Sequence, residues 1–171
     1  STDDWYNVAV STMSDMGIVF GRTDYQFDPD AYITRAEFAA IAARFDSESY
    51  SGDDLFTDIE GHWAANQINR AAEKGWITGY PDGTFDPNRY ITRAEAVTMI
   101  NRVLNRIPED KDALHEDMKV FVDNADTNAW YYLAIQEATS SHEYEKDKDG
   151  VYETWTDVLP DRDWAQYLKL N

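Results

Sequence analysis

A mainly helical fold, three helix–loop–helix units packed as one domain, is what this sequence predicts, and three observations predict it. An eleven-residue motif occurs twice at a fixed offset. Apolar residues recur at helical spacing between capping signals. One late segment, and only that one, alternates in the manner of a hairpin.

The repeat comes first. FDPDAYITRAE (Phe27 to Glu37) returns as FDPNRYITRAE (Phe85 to Glu95), identical at nine of eleven positions and offset by 58 residues. The same offset carries Trp5 onto Trp63, Gly17 onto Gly75 and Gly21 onto Gly79. A third copy begins at FVDNADTNAW (Phe121 to Trp130), which resembles FTDIEGHW (Phe56 to Trp63) with two extra residues. Ile135 stands five residues after its Trp, as Ile68 does after Trp63, but no TRAE comes after it. WTDVLPDRDWA (Trp155 to Ala165) restarts the pattern weakly and reads as a closing cap, since a terminal repeat lacks one neighbour. The units so defined span 1–50, 51–115 and 116–171.

Within the second unit, Trp63, Ile68, Ala71 and Ala72 share one helical face and Gly75 ends the segment with a left-handed cap. GYPDGTF (Gly79 to Phe85) is a turn, with proline fixing φ and Asp-Gly accepting reversed backbone. Thr92 and Glu95 form a capping box at the start of the next helix, as Thr34 and Glu37 do in the first copy. Ile33 and Phe38 can add a hydrophobic staple, and Pro108 closes the second copy's helix. Helices are therefore expected over 5–16, 34–45, 62–74, 92–106 and 128–140. HEYEKDKDGVYETW is expected to form a small β-hairpin around Asp149-Gly150.

Charge narrows the functional classes. The 171 residues carry 15 Lys+Arg against 33 Asp+Glu, a net charge of −18, which repels phosphate backbones and anionic lipid. Nucleic acid and membrane insertion are thus excluded as partners, and no apolar run reaches the roughly 20 residues of a membrane span. Cysteine is absent, so disulfides, thiolate metal sites and cysteine nucleophiles are absent too. Any export signal is expected outside this stretch of sequence.

The run from Phe56 to Glu95, F-x-D…HWA…KGWITGYPDGTFDPN…ITRAE, closely resembles the S-layer homology family. The first copy matches from Trp5 onward without the F-x-D start; the third matches over its first helix. The resemblance implies a pseudo-threefold bundle of three repeats, non-catalytic, that binds secondary cell-wall polymers without covalent bonds. It implies a place on the bacterial cell surface, as part of a larger exported protein. The ligand it implies is an anionic, pyruvylated polysaccharide held in grooves between repeats, with the TRAE arginine central. Polyamine-modified peptidoglycan is the alternative ligand, and a protein–protein assembly domain is the alternative class.

Arg35 and Arg93 stand directly after the N-caps and are the leading ligand candidates. Free backbone N–H groups beside an arginine fork suit a carboxylate, although an ion pair with a neighbouring repeat would use the same residues. Trp5, Trp63 and Trp130 share one register, where a ring either packs in the core or offers a flat sugar contact. Gly79, Tyr80, Asp82 and Gly83 form the loop and could also touch ligand. Asp58 and Asp123 are expected to cap the first helices of their copies. Glu145, Asp147 and Asp149 suggest a calcium loop, but Thr156 stands where a bidentate Glu is needed. His62, His115 and His142 lack metal-ligand spacing, and no nucleophile elbow surrounds Ser140 and Ser141. No cofactor, metal or catalytic group is expected.

Overall fold

A computed structural model describes residues 4–161. Five α-helices are present among them: α1 (Asn7–Asp15), α2 (Arg35–Ala43), α3 (Ala65–Glu73), α4 (Arg93–Val103) and α5 (Tyr132–Thr139). A two-stranded antiparallel sheet comes last, β1 (His142–Lys146) with β2 (Glu153–Val158). The protein is therefore mainly helical with one small hairpin. Of the closing cap expected over Trp155 to Ala165, the start belongs to β2 and the end lies outside the described residues. Two compact units divide the chain between Tyr90 and Ile91.

That boundary falls inside the second sequence repeat, not between repeats. The reason is packing. α2 packs on α3, and α4 on α5, so each TRAE helix joins the first helix of the next copy. In the first unit the contact is built from alanine: Ala36, Ala39, Ala40, Ala42 and Ala43 are all buried on α2. Their small side chains let the helices approach closely, and α3 answers with Ile68 and Ala71, both at 0% exposure. Phe85 and Ile59 are buried with them. Capping boxes start both TRAE helices: Thr34 Oγ1 accepts from Glu37 N at 3.2 Å while Glu37 Oε2 accepts from Thr34 N at 2.7 Å. Thr92 and Glu95 repeat the exchange at 3.3 and 2.8 Å.

The segment joining the first two copies is pinned to α3 by charge. Arg70, itself buried, pairs with Asp46, Glu48 and Glu73, and Lys74 reaches Asp46 at 2.9 Å. The bonds from Lys74 and Arg70 outweigh burial and hold the Asp46 carboxyl down at about 2.

The second unit carries the hairpin in place of the missing TRAE helix. Gly150 takes φ 69° in the connection, and Asp147 accepts from Gly150 N and Val151 N, so the reversal is where Asp-Gly predicts it. Trp155 is buried and stacks on His142 at 3.9 Å between ring centroids. Around them lies an ion network. Arg106 bonds Glu153 at 3.0 Å and Glu137 at 3.0 Å, Lys146 reaches Glu153 at 3.3 Å, and Trp155 Nε1 donates to Glu137. Burial opposes charge on His142, but the carboxylate of Glu137 at 3.3 Å outweighs it and raises the imidazole above its usual value. Glu137, His142 and Glu153 bring ligand-type atoms within 4.8 Å of one another. Protein cations and the indole already take up those carboxylates, which makes the cluster a structural clasp for the hairpin.

Candidate functional site

The TRAE helix of the first copy does not present a free N-terminus. Arg35 N donates to Arg89 O at 2.9 Å, Ala36 N to Pro87 O at 3.0 Å, and Glu37 N is taken by Thr34. The first-turn amides, expected as an anion site, are therefore filled by the second copy's own loop. Arg35 is only 6% exposed. Its Nε donates to Phe85 O at 2.8 Å and its Nη2 lies 3.4 Å from Thr78 O, with the guanidinium over the Phe85 and Tyr80 rings. Here Arg35 braces a loop.

The loop it braces is the predicted turn. Tyr80 N bonds Thr84 O at 2.8 Å, Gly83 has φ 84°, and Asp82 accepts from Thr84 N and Oγ1, which lowers the Asp82 pKa. At Gly79 an added Cβ would lie 2.3 Å from the Phe56 ring and 2.5 Å from Thr84 O, so only glycine fits. Tyr80 keeps 38% exposure and receives a bond from Arg89.

Asp58 does not cap α3. Its two oxygens accept from Phe85 N at 2.8 Å and Asp86 N at 2.7 Å, tying the F-x-D element to the loop. Ala64 precedes α3 without a side-chain cap. Asp123 likewise lies inside a short 3-10 turn, Val122–Asn124, while Tyr131 precedes α5. Neither α3 nor α5 has a side-chain cap, and the residues that precede them are Ala64 and Tyr131, not the aspartates expected to cap them.

The three register-matched tryptophans are exposed, at 76% for Trp5, 62% for Trp63 and 65% for Trp130, so none is a core residue. Trp63 borders a groove of about 620 Å³ in the first unit. The first copy's loop, residues 19–22 and 27–33, forms one wall, and α2 supplies Glu37, Ala40, Ile41 and, at its end, Arg44 as the floor. Phe20, 59% exposed, stands at the rim. Two copies thus meet here: the loop and helix of the first, the tryptophan of the second.

Two arginines line this groove. Arg22 donates to Tyr32 O at 2.8 Å and lies 3.9 Å from Asp28 and 3.6 Å from Glu37. Arg44 donates to Ile18 O at 3.0 Å and lies 4.5 Å from the Phe20 ring centroid. Neither belongs to the motifs that single out Arg35 and Arg93. The offset of 58 is the signal that could have found them: it pairs Arg44 with Arg102 and sets Arg22 where the second copy has Tyr80. Arg93 remains exposed at the first position of α4, in the second unit, with no ion pair among the described residues.

Comparison with known proteins agrees with these repeats. The family model described as the S-layer homology domain matches residues 1–39 and 55–97. A cellulosome-anchoring protein of Acetivibrio thermocellus is 39% identical over 152 residues, covering 85% of this chain and 33% of that protein. Cell surface glycoprotein 1 of the same species is 35% identical over 82% of this chain, which is 6% of its own length. An amylopullulanase of Thermoanaerobacterium thermosulfurigenes is 36% identical over 115 residues, which cover 64% of this chain and 6% of that protein. The chain therefore spans a third or less of these relatives.

Proposed function

The chain belongs to the S-layer homology family through residues 1–39 and 55–97, and from that premise we propose that it anchors a larger protein to the bacterial cell surface by binding an anionic secondary cell-wall polysaccharide. The observation that carries the reading is the groove walled by the first copy's loop, floored by α2 and bordered by Trp63. Its lining fits saccharide: a flat indole for stacking, Ala40 and Ile41 as apolar contact, and Arg44, which no described carboxylate pairs, for a negative group. The relatives' names fit surface attachment, since one is a cellulosome-anchoring protein and another a cell surface glycoprotein. The amylopullulanase matches over so small a share of its length that its catalytic name bears on the rest of that protein. Anchoring needs no catalysis, and Glu37, Glu95, Asp58, Asp46, Glu137 and Glu153 are engaged in caps, a loop brace and ion networks.

A second ligand is favoured by one observation. A net charge of −18 attracts polyamine-bearing peptidoglycan more than a polyanion at long range. Local cations support the polysaccharide instead, because screening confines the general field to about 8–10 Å while contact charges persist. The test is sedimentation of the full chain with purified walls, before and after hydrofluoric acid strips the secondary polymers. Binding should be lost on stripping; undiminished binding refutes the polysaccharide reading.

A further inference from the structure

Of the two guanidiniums lining the groove, Arg44 is the one without a carboxylate among the described residues. Its Nη1 is bonded to the Ile18 carbonyl, and no ion pair with any described residue is formed. The chain carries 33 acidic residues, and within the same groove Arg22 draws both nearby carboxylates, Asp28 and Glu37, to itself. Burial pushes the Arg44 pKa down, the direction expected of a half-buried cation whose counter-charge is missing. Arg102, 58 residues on, has the same character: half-buried, lowered by burial, and without an ion pair among the described residues. Helix ends welcome a cation, and both arginines stand there, but the dipole alone does not require half-burial beside a cavity.

Resting on the wall-polymer reading above, we infer that Arg44 is the residue that receives a carboxylate of the bound saccharide, with Trp63 and Phe20 beside the sugar ring. One bond to Ile18 O leaves most of the five N–H donors of the fork for a ligand, and a carboxylate is the planar, bidentate partner that fork fits. Arg35 cannot do this in the first groove, because its guanidinium is buried against the Phe85 and Thr78 carbonyls. The specificity of this groove therefore comes from the far end of the TRAE helix.

The probe is a methyl hexosaminide bearing a 4,6-pyruvate acetal, titrated calorimetrically as the free acid and as its neutral methyl ester. Wild type should bind the acid at least ~10-fold more tightly than the ester, the range of a charge-assisted bidentate contact. Arg44→Gln should abolish that preference, so that acid and ester bind alike, and Arg44→Lys should restore part of it. Thermal melts accompany each variant; if Arg44→Gln fails to fold, Arg44→Lys alone must lose at least half of the logarithmic preference. An acid preference that survives in folded Arg44→Gln overturns the assignment. So does a wild type that sediments with walls yet binds neither probe. A wild type that does not sediment with walls overturns the proposed function instead, so the two failures are distinguishable.

Discussion

At the scale of single residues, equivalent positions in two near-identical motifs do different work. Arg35 and Arg93 occupy the same site in TRAE, yet one is buried against backbone carbonyls and the other is exposed. The difference lies in the copy that comes after each helix in the chain. Arg35 meets a GYPDGTF loop from the next copy; the copy after Arg93 has no such loop. Charged hydrogen bonds to buried carbonyls are worth about 1.5–3 kcal/mol, whereas an exposed side chain contributes within about 0.5 kcal/mol. Arg35→Ala should therefore lose about 2 kcal/mol in denaturant titrations and Arg93→Ala almost nothing. Equal losses for the two variants would contradict the brace assigned to Arg35.

The helices carry their instructions at their ends. Each TRAE helix begins with a reciprocal capping box, so Thr34→Ala and Thr92→Ala should each cost about 1 kcal/mol, read from chemical unfolding. A second device fixes α3 to the segment before it. Asp46, held at about 2 by Lys74 and Arg70 against an ordinary 3.8, is charged in the folded chain at pH values where the unfolded chain binds a proton. Its contribution is fully present above about pH 4 and fades as pH falls toward about 2. Asp46→Asn should thus lower stability near neutrality and flatten the stability curve across that acid window. An unchanged acid limb in that variant would show that the Asp46 pair does not anchor the segment.

For the whole molecule the decisive quantity is the contrast between general and local charge. The chain is strongly acidic, but Arg22 and Arg44 line the groove proposed for the ligand, beside Asp28 and Glu37. If contact charges carry wall binding, raising salt from about 0.05 to about 0.5 M, which shrinks the Debye length well below 10 Å, should weaken it only a few-fold. Attraction of a polyamine by the whole acidic surface would instead collapse steeply with salt. Wall-binding titrations at the two salt levels separate these ligands.

Periodicity and capping are local properties, and they were enough to specify the helical class, the places of the five helices, the Asp-Gly hairpin and the two capping boxes. An offset of 58 with nine identities in eleven also made the family legible in the residues alone. Which copy touches which is another matter, settled only by packing. Pairing α2 with α3 and α4 with α5 places compact units across the repeat boundary, sends Asp58 to the amides of Phe85 and Asp86, and buries Arg35 in its neighbour's loop. It also sets Trp63 against the loop of the preceding copy and leaves Arg44 facing a cavity. None of these is a local property. Each depends on contacts between residues far apart in the chain, and a motif repeated in sequence takes its role from the neighbour it packs against.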